Sequence, residues 1–227
     1  MTKKYESFNL EIEDNIANII LSRPEQLNSM SRKFWVELPE ILEEVNRNSE
    51  IRVLIISSTG KHFCAGMDLS AFDNGVANIP KEKRPDNARI GEALYRSAKE
   101  LQEYISKLEK IRVPVIAAIH GGCIGGAVDL VTACDIRLAT TDAFFCIQEI
   151  NIGMAADVGT LQRLPRIIPD SKMRELAYTG RRMLADEAKE SGLVSDVYNS
   201  QEEMVNAAKE MANEIAKKSP IAIYGLK

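Results

Sequence analysis

Asp129, Glu149 and Asp157 stand among small and apolar residues in the glycine-rich segment between Val113 and Pro165. A carboxylate with apolar neighbours is costly unless it is paired or hydrogen-bonded. Like charges that share a poorly solvated site push at least one pKa upward. A group that exchanges protons near neutral pH needs that property. Taken singly, each acid has a plain structural alternative. Asp129 falls in the first turn of a helix and can stabilise its dipole. Glu149 can be the solvated end of a strand, and Asp157 can cap the next helix. Taken together, they read as an acid–base set.

The run Gly121-Gly122-Cys123-Ile124-Gly125-Gly126 lies between a strand pattern and a helix start. It is not G-x-G-x-x-G and lacks the lysine of a phosphate-binding loop. Glycines at such a turn offer close backbone approach and free N–H groups. Those groups sit at the positive end of a helix dipole and can hold a developing oxyanion. The turn Ala65-Gly66-Met67 could supply a second donor. A tight turn with no ligand is the bland alternative. Other chemistries fit less well. There is no G-x-S-x-G elbow, and the two histidines are His62, expected in a loop, and His120, expected to line a turn. Cys123 as a nucleophile has no base beside it in sequence. Cys64, Cys123, Cys134 and Cys146 show neither close C-x-x-C pairing nor zinc spacing, and read as reduced core residues.

The elements that must carry these residues follow from periodicity. Phe8–Glu13 and Ile16–Leu21 read as a hairpin turned at Asp14-Asn15. Ser31 is set to cap a helix reaching about Asn46, kinked at Pro39. Val53–Ser57 and Val113–Ile119 are continuously apolar, as in strands of a parallel sheet. A helix is expected from about Ile90 to Lys110, with Leu94, Ala98, Leu101, Ile105 and Leu108 inward. Short helices and strands alternate from Ala127 to Val197, and Gln201–Lys218 is amphipathic. This alternation predicts an α/β fold with a parallel sheet. The strand–loop–helix units at 53–70 and 113–134 look like a weak internal repeat.

With 227 residues, 45% hydrophobic, the chain reads as one domain with a large core. A net charge of -4 leaves no basic excess for nucleic acid. No apolar run approaches the roughly 18 residues of a membrane span. The N-terminus lacks the features of a leader, and the last three residues are not a peroxisomal tripeptide. A cytoplasmic protein is the expectation.

The residues above resemble the enoyl-CoA hydratase/isomerase (crotonase) family. The resemblance rests on HFCAGMDL (62–69), VPVIAAIHGGCIGGAVDL (113–130), CDIR (134–137) and QEINIGMAADVGTLQRLP (148–165). It implies a spiral of repeated ββα units with a parallel sheet over residues 1–200. Residues 201–227 would begin a C-terminal helical trimerisation region, which in the family continues for one or two more helices. It further implies a homotrimer or homohexamer and an oxyanion hole made by the backbone N–H groups of Met67 and Gly126. Acyl-CoA contacts would fall at Ala65, Gly66, Asp68, Leu69 and Gly122. Coenzyme A is then part of the substrate, with no separate cofactor, no metal, and neither nucleic acid nor membrane as partner.

Hydratases of the family carry Glu at both acid positions, which match Asp129 and Glu149, and typically Gly where Asp157 stands. The set seen here resembles the family's dienoyl-CoA isomerases, which convert 3,5-dienoyl-CoA to 2,4-dienoyl-CoA. A 1,5-proton shift needs one group at the α-carbon and another at the far ε-carbon. The expectation is that Glu149 works at the first, Asp157, eight residues on, at the second, and that Asp129 polarises or tunes the pair. Which acid removes the proton and which returns it stays open. The alternatives are a 2-enoyl-CoA hydratase, a Δ3,Δ2-enoyl-CoA isomerase, and a non-catalytic acyl-CoA-binding module.

Overall fold

A short strand β1 (Thr2–Lys4) precedes the hairpin of β2 (Phe8–Glu13) and β3 (Ile16–Leu21). Asp14 and Asn15 close the hairpin at positive φ, 49° and 66°, which two-residue hairpin turns require and Asn and Asp tolerate. The computed structural model describes residues 2–68 and 86–227. Ser31 caps α1 (Arg32–Arg47) by accepting the Phe34 N–H at 3.3 Å. The helix runs through Pro39 without a break, burying Phe34, Leu38, Ile41 and Val45 along one face.

The chain then winds through β4 (Val53–Ser58), α2 (Asn87–Lys110), β5 (Val115–Ile119), β6 (Gly122–Ile124) and α3 (Gly126–Thr132). Next come β7 (Ile136–Thr140), β8 (Phe144–Cys146), α4 (Thr160–Arg163), α5 (Asp170–Thr179), β9 (Met183–Leu184) and α6 (Ala185–Glu190). The elements β10 (Asp196–Tyr198), α7 (Gln201–Ala216) and α8 (Pro220–Leu226) complete it. One sheet has the order β1-β2-β3-β4-β5-β7-β10, parallel from β3 onward. A second, smaller sheet has the order β6-β8-β9. The passes through β5-β6-α3 and β7-β8 each lay a strand in the large sheet, a short strand in the small one, and then helical structure. This is the expected ββα spiral, and the expected α/β class.

The continuous apolar strands are explained by burial on both faces. One side of the large sheet meets the core built from α1, α2 and α3. On the other, Met204, Ala208 and Ala212 of α7 pack against Val53, Ile55, Ile116 and Leu138. Their spacing of four residues keeps them on one helix face. Among the described residues no helix is long and apolar enough to cross a membrane.

Three local expectations are corrected. Leu94 is 67% exposed, because α2 is first fully buried at Ile105 and its N-terminal turns lie outside the core. The glycine cluster is not wholly a turn, since Gly122–Ile124 is strand β6. The helix expected after Asp157 spans only Thr160–Arg163 and passes into a 3-10 turn at Leu164–Arg166.

Candidate active site

Two successive turns of the spiral lie side by side at the site. Cys64 and Cys123 form a parallel bridge between them. Cys64 N–H donates to Gly122 O and Ile124 N–H to Cys64 O, both at 3.1 Å. The histidines add to this lacing. His62 Nδ1 accepts the Gly122 N–H at 2.9 Å, and His120 Nε2 lies 2.9 Å from Gly60 O. Burial holds the His62 pKa below its usual value, which suits a ring nitrogen that accepts. Both histidines thus work on the backbone.

The lacing delivers Met67 and Gly126 to one place. Among the described residues no acceptor takes the N–H of either. A Cβ on Gly126 would lie 3.9 Å from Met67 N, and one on Gly66 would lie 3.4 Å from Gly126 N. Gly66 has φ +85°, and its Cβ would fall 2.6 Å from Ile124 O, so the two turns approach this closely only with glycine there. Met30 straps the segment from the other side: its N–H donates to Gly66 O at 2.8 Å, and Asp68 N–H donates to Met30 O at 3.2 Å. Trp35 Nε1–H donates to the Met67 sulfur at 3.3 Å. Two free N–H groups on fixed backbone form a ready anion cradle.

Asp129 sits in the first turn of α3 and is 1% exposed. Its Oδ1 accepts the Thr160 N–H at 2.6 Å. Its Oδ2 is buried with no hydrogen-bond partner among the described residues. Burial pushes its pKa up to about 7, against the pull of Thr160 and with the Glu149 charge adding to the rise. Glu149 lies in a 3-10 turn (Gln148–Ile152) directly after β8. It is half-buried, and its Oε2 also lacks a partner. Burial raises its pKa, and the charge of Asp157 raises it further. Its Oε1 is 3.2 Å from the place a Cβ on Gly125 would occupy. Asp157 lies exposed on the loop before α4. It is not the cap of that helix: Gly159 stands at the cap position without a side-chain bond, and the first helical N–H goes to Asp129 instead.

One cavity of about 400 Å³ gathers these groups. Its lining includes Ala65, Gly66, Met67, Gly126, Asp129, Glu149 and Asp157. The volume is that of a small-molecule site. Gly122 and Asp68 are not in the lining. Gly122 is held in β6 by His62, and Asp68 faces Ser29 and Arg23, 3.2 and 3.9 Å away. Leu69 lies outside the described residues. Trp35, Gln148, Met154 and Arg182 also line the cavity and were not singled out from the sequence. Trp35 lies on α1 beside the buried Phe34, and its place over Met67 is what separates it from an ordinary core position. All four cysteines are buried and free, and burial pushes the Cys123 thiol well up, which removes it as a nucleophile.

A family model described as enoyl-CoA hydratase/isomerase matches residues 11–227. The rat protein named delta(3,5)-delta(2,4)-dienoyl-CoA isomerase, mitochondrial, is 45% identical over 225 residues, covering 98% of this chain and 68% of its own length. The Arabidopsis thaliana protein with the same enzyme name, peroxisomal, is 43% identical, covering 99% and 80%. The crystal structure of an enoyl-CoA hydratase from Bacillus anthracis superposes with a TM-score of 0.84 at 33% identity, covering 96% of this chain and 80% of that one. These names correct the cytoplasmic expectation: the similar proteins carry mitochondrial and peroxisomal addresses. That expectation rested on composition and terminal residues, which do not record where a folded core of this kind works.

Proposed function

Since the chain belongs to the enoyl-CoA hydratase/isomerase family, we propose that it isomerises 3,5-dienoyl-CoA to 2,4-dienoyl-CoA. The observation that carries this reading is the third acid. Asp157 lines the same cavity as Glu149 and Asp129, where hydration would need only a water held between two carboxylates.

The thioester oxygen sits between the N–H groups of Met67 and Gly126. Glu149 serves the α-carbon, because its Oε1 lies beside Gly125 and hence beside the Gly126 donor. A proton leaves the α-carbon, and its electron pair passes into a dienolate whose charge rests on the thioester oxygen. Oxyanion donors of this kind are each worth about 2.7–4 kcal/mol. A proton then arrives at the ε-carbon, served by Asp157, and the double bonds move to positions 2 and 4. One proton is lost and one gained, with no oxidant or separate cofactor. Asp129 holds Thr160 at the start of the helix beside Asp157, and its own pKa is raised in part by the Glu149 charge. The protein works as a homotrimer or homohexamer, a reading supported by the exposed apolar side chains of Ile150, Ile152 and Tyr178.

The test is to offer purified protein 3,5-dienoyl-CoA and, separately, a 2-enoyl-CoA. Conversion of the first to a conjugated 2,4-dienoyl product supports the reading. Hydration of the second without isomerisation of the first assigns a hydratase instead. Binding of both with turnover of neither assigns a non-catalytic acyl-CoA module.

A further inference from the structure

The loop that carries Asp157 is pinned at four successive residues. Gln102 Nε2–H donates to Asp157 O at 2.6 Å. Arg163 Nη1–H donates to Val158 O at 3.1 Å. Gly159, at φ +129°, lies flat under the same guanidinium, so close that a Cβ there would fall 1.6 Å from Arg163 Nη1. Thr160 N–H is taken by Asp129. Arg163 is itself anchored on α2: Nη2–H donates to Ser106 Oγ at 2.9 Å, and Nε–H to Glu109 Oε2 at 2.7 Å.

Gln102, Ser106 and Glu109 therefore do one job from one helix. Their spacing of four and then three residues puts them on a single face of α2. That face meets the loop directly through Gln102 and through Arg163 at the other two positions. None of the three lines the cavity. Arg163 is 8% exposed, and a guanidinium so enclosed holds its partners in a fixed fork.

We propose that this polar stripe of α2 is the positioning device for Asp157, and that Gln102 is its adjustable member. The inference rests on the reading of Asp157 as the acid at the ε-carbon. Glu149 and the two N–H donors stand on other elements, so the stripe sets how far the remote acid lies from the α-carbon without altering the grip on the thioester. It thereby makes α2 a determinant of isomerase over hydratase chemistry.

The test uses the full chain with Gln102→Ala and the isosteric, donor-free Gln102→Glu, beside Asp157→Asn. Gln102 is only partly buried, so the variants fold, which Tm verifies. Each protein is given 3,5-dienoyl-CoA in D2O. Two rates are read: deuterium exchange at the α-carbon and formation of 2,4-dienoyl-CoA. Loss of one positioning hydrogen bond is expected to slow product formation about 3- to 10-fold in both Gln102 variants, with α-exchange kept within about twofold. A merely structural role would move both rates together or neither, and either result overturns the proposal. Unchanged product formation in Asp157→Asn would remove the underlying reading of Asp157, and the proposal with it.

Discussion

Asp129, on α3, caps α4 from 31 residues away: its Oδ1 accepts the Thr160 N–H at 2.6 Å. The acid that stands next to that helix in sequence, Asp157, does not. Asp129, one of the three acids the sequence offers for proton transfer, thus also does structural work, and Asp157 faces the cavity.

A first prediction concerns the cost of that arrangement. The Asp129 pKa is raised to about 7, above the value of about 3.9 for an unfolded Asp. The unfolded chain then releases this proton earlier than the folded one. Its contribution to stability is fully present below pH 4 and is lost as pH rises through 7. Asp129→Asn keeps the acceptor and removes the charge. Its Tm should match the parent near pH 4 and exceed it at pH 8, by roughly 4–10 °C. Parallel melting curves at the two pH values check this. A variant less stable than the parent at pH 8 would sink the assignment.

A second concerns the pH–rate profile. In the proposed reaction Glu149 must be ionised to take a proton, and its pKa is raised by burial and by the Asp157 charge. The acid limb of kcat/KM for isomerisation should lie above the ordinary Glu value of about 4.3. In Asp157→Asn the same limb, read through α-proton exchange, should move to lower pH, because one of the two causes is gone. A limb that stays put shows that the two carboxylates do not feel each other.

The oxyanion cradle gives a third. Gly126 is the first residue of α3, a place where proline's fixed φ is admitted and its missing N–H breaks no helical bond. Gly126→Pro should fold, with Met30 shifting, since its sulfur lies 3.0 Å from the Gly126 Cβ position. Removal of one donor is expected to lower kcat about 10²- to 10³-fold. A folded variant of unaltered rate would refute the role of this N–H.

A fourth addresses the thiols. Burial pushes Cys64 and Cys134 up to about 12, and all four cysteines are buried and free. The native protein should react slowly with a thiol-exchanging chromophore near neutral pH, and release four equivalents once denatured. A fast-reacting thiol in the native state contradicts the packing around the Cys64–Cys123 bridge.

Much of the scaffold was legible because its signals are local. The alternation in Phe8–Glu13, the turn at Asp14-Asn15, the cap at Ser31 and the apolar runs at Val53 and Val115 each act within a few residues. The acids were legible as a set because apolar neighbours make a carboxylate conspicuous. Their division of labour was not. It depends on contacts between residues 31 and 55 apart, Asp129 with Thr160 and Gln102 with Asp157, and no period in the sequence encodes such pairs. Leu94 shows the opposite failure. Its helical spacing is regular, but among the described residues none covers that end of α2.

The bridge between Cys64 and Cys123 has one more consequence. Met67 and Gly126 each follow their bridged cysteine by three residues, so backbone pairing brings the two donors together, with the Gly126 Cβ position 3.9 Å from Met67 N. Gly66 lets the two turns close to that gauge, and a side chain placed there would open it. Carboxylates around the cavity can be exchanged one at a time while the grip on the substrate's carbonyl stays constant. A lineage built on this lattice can change its chemistry without first having to relearn how to hold what it acts upon.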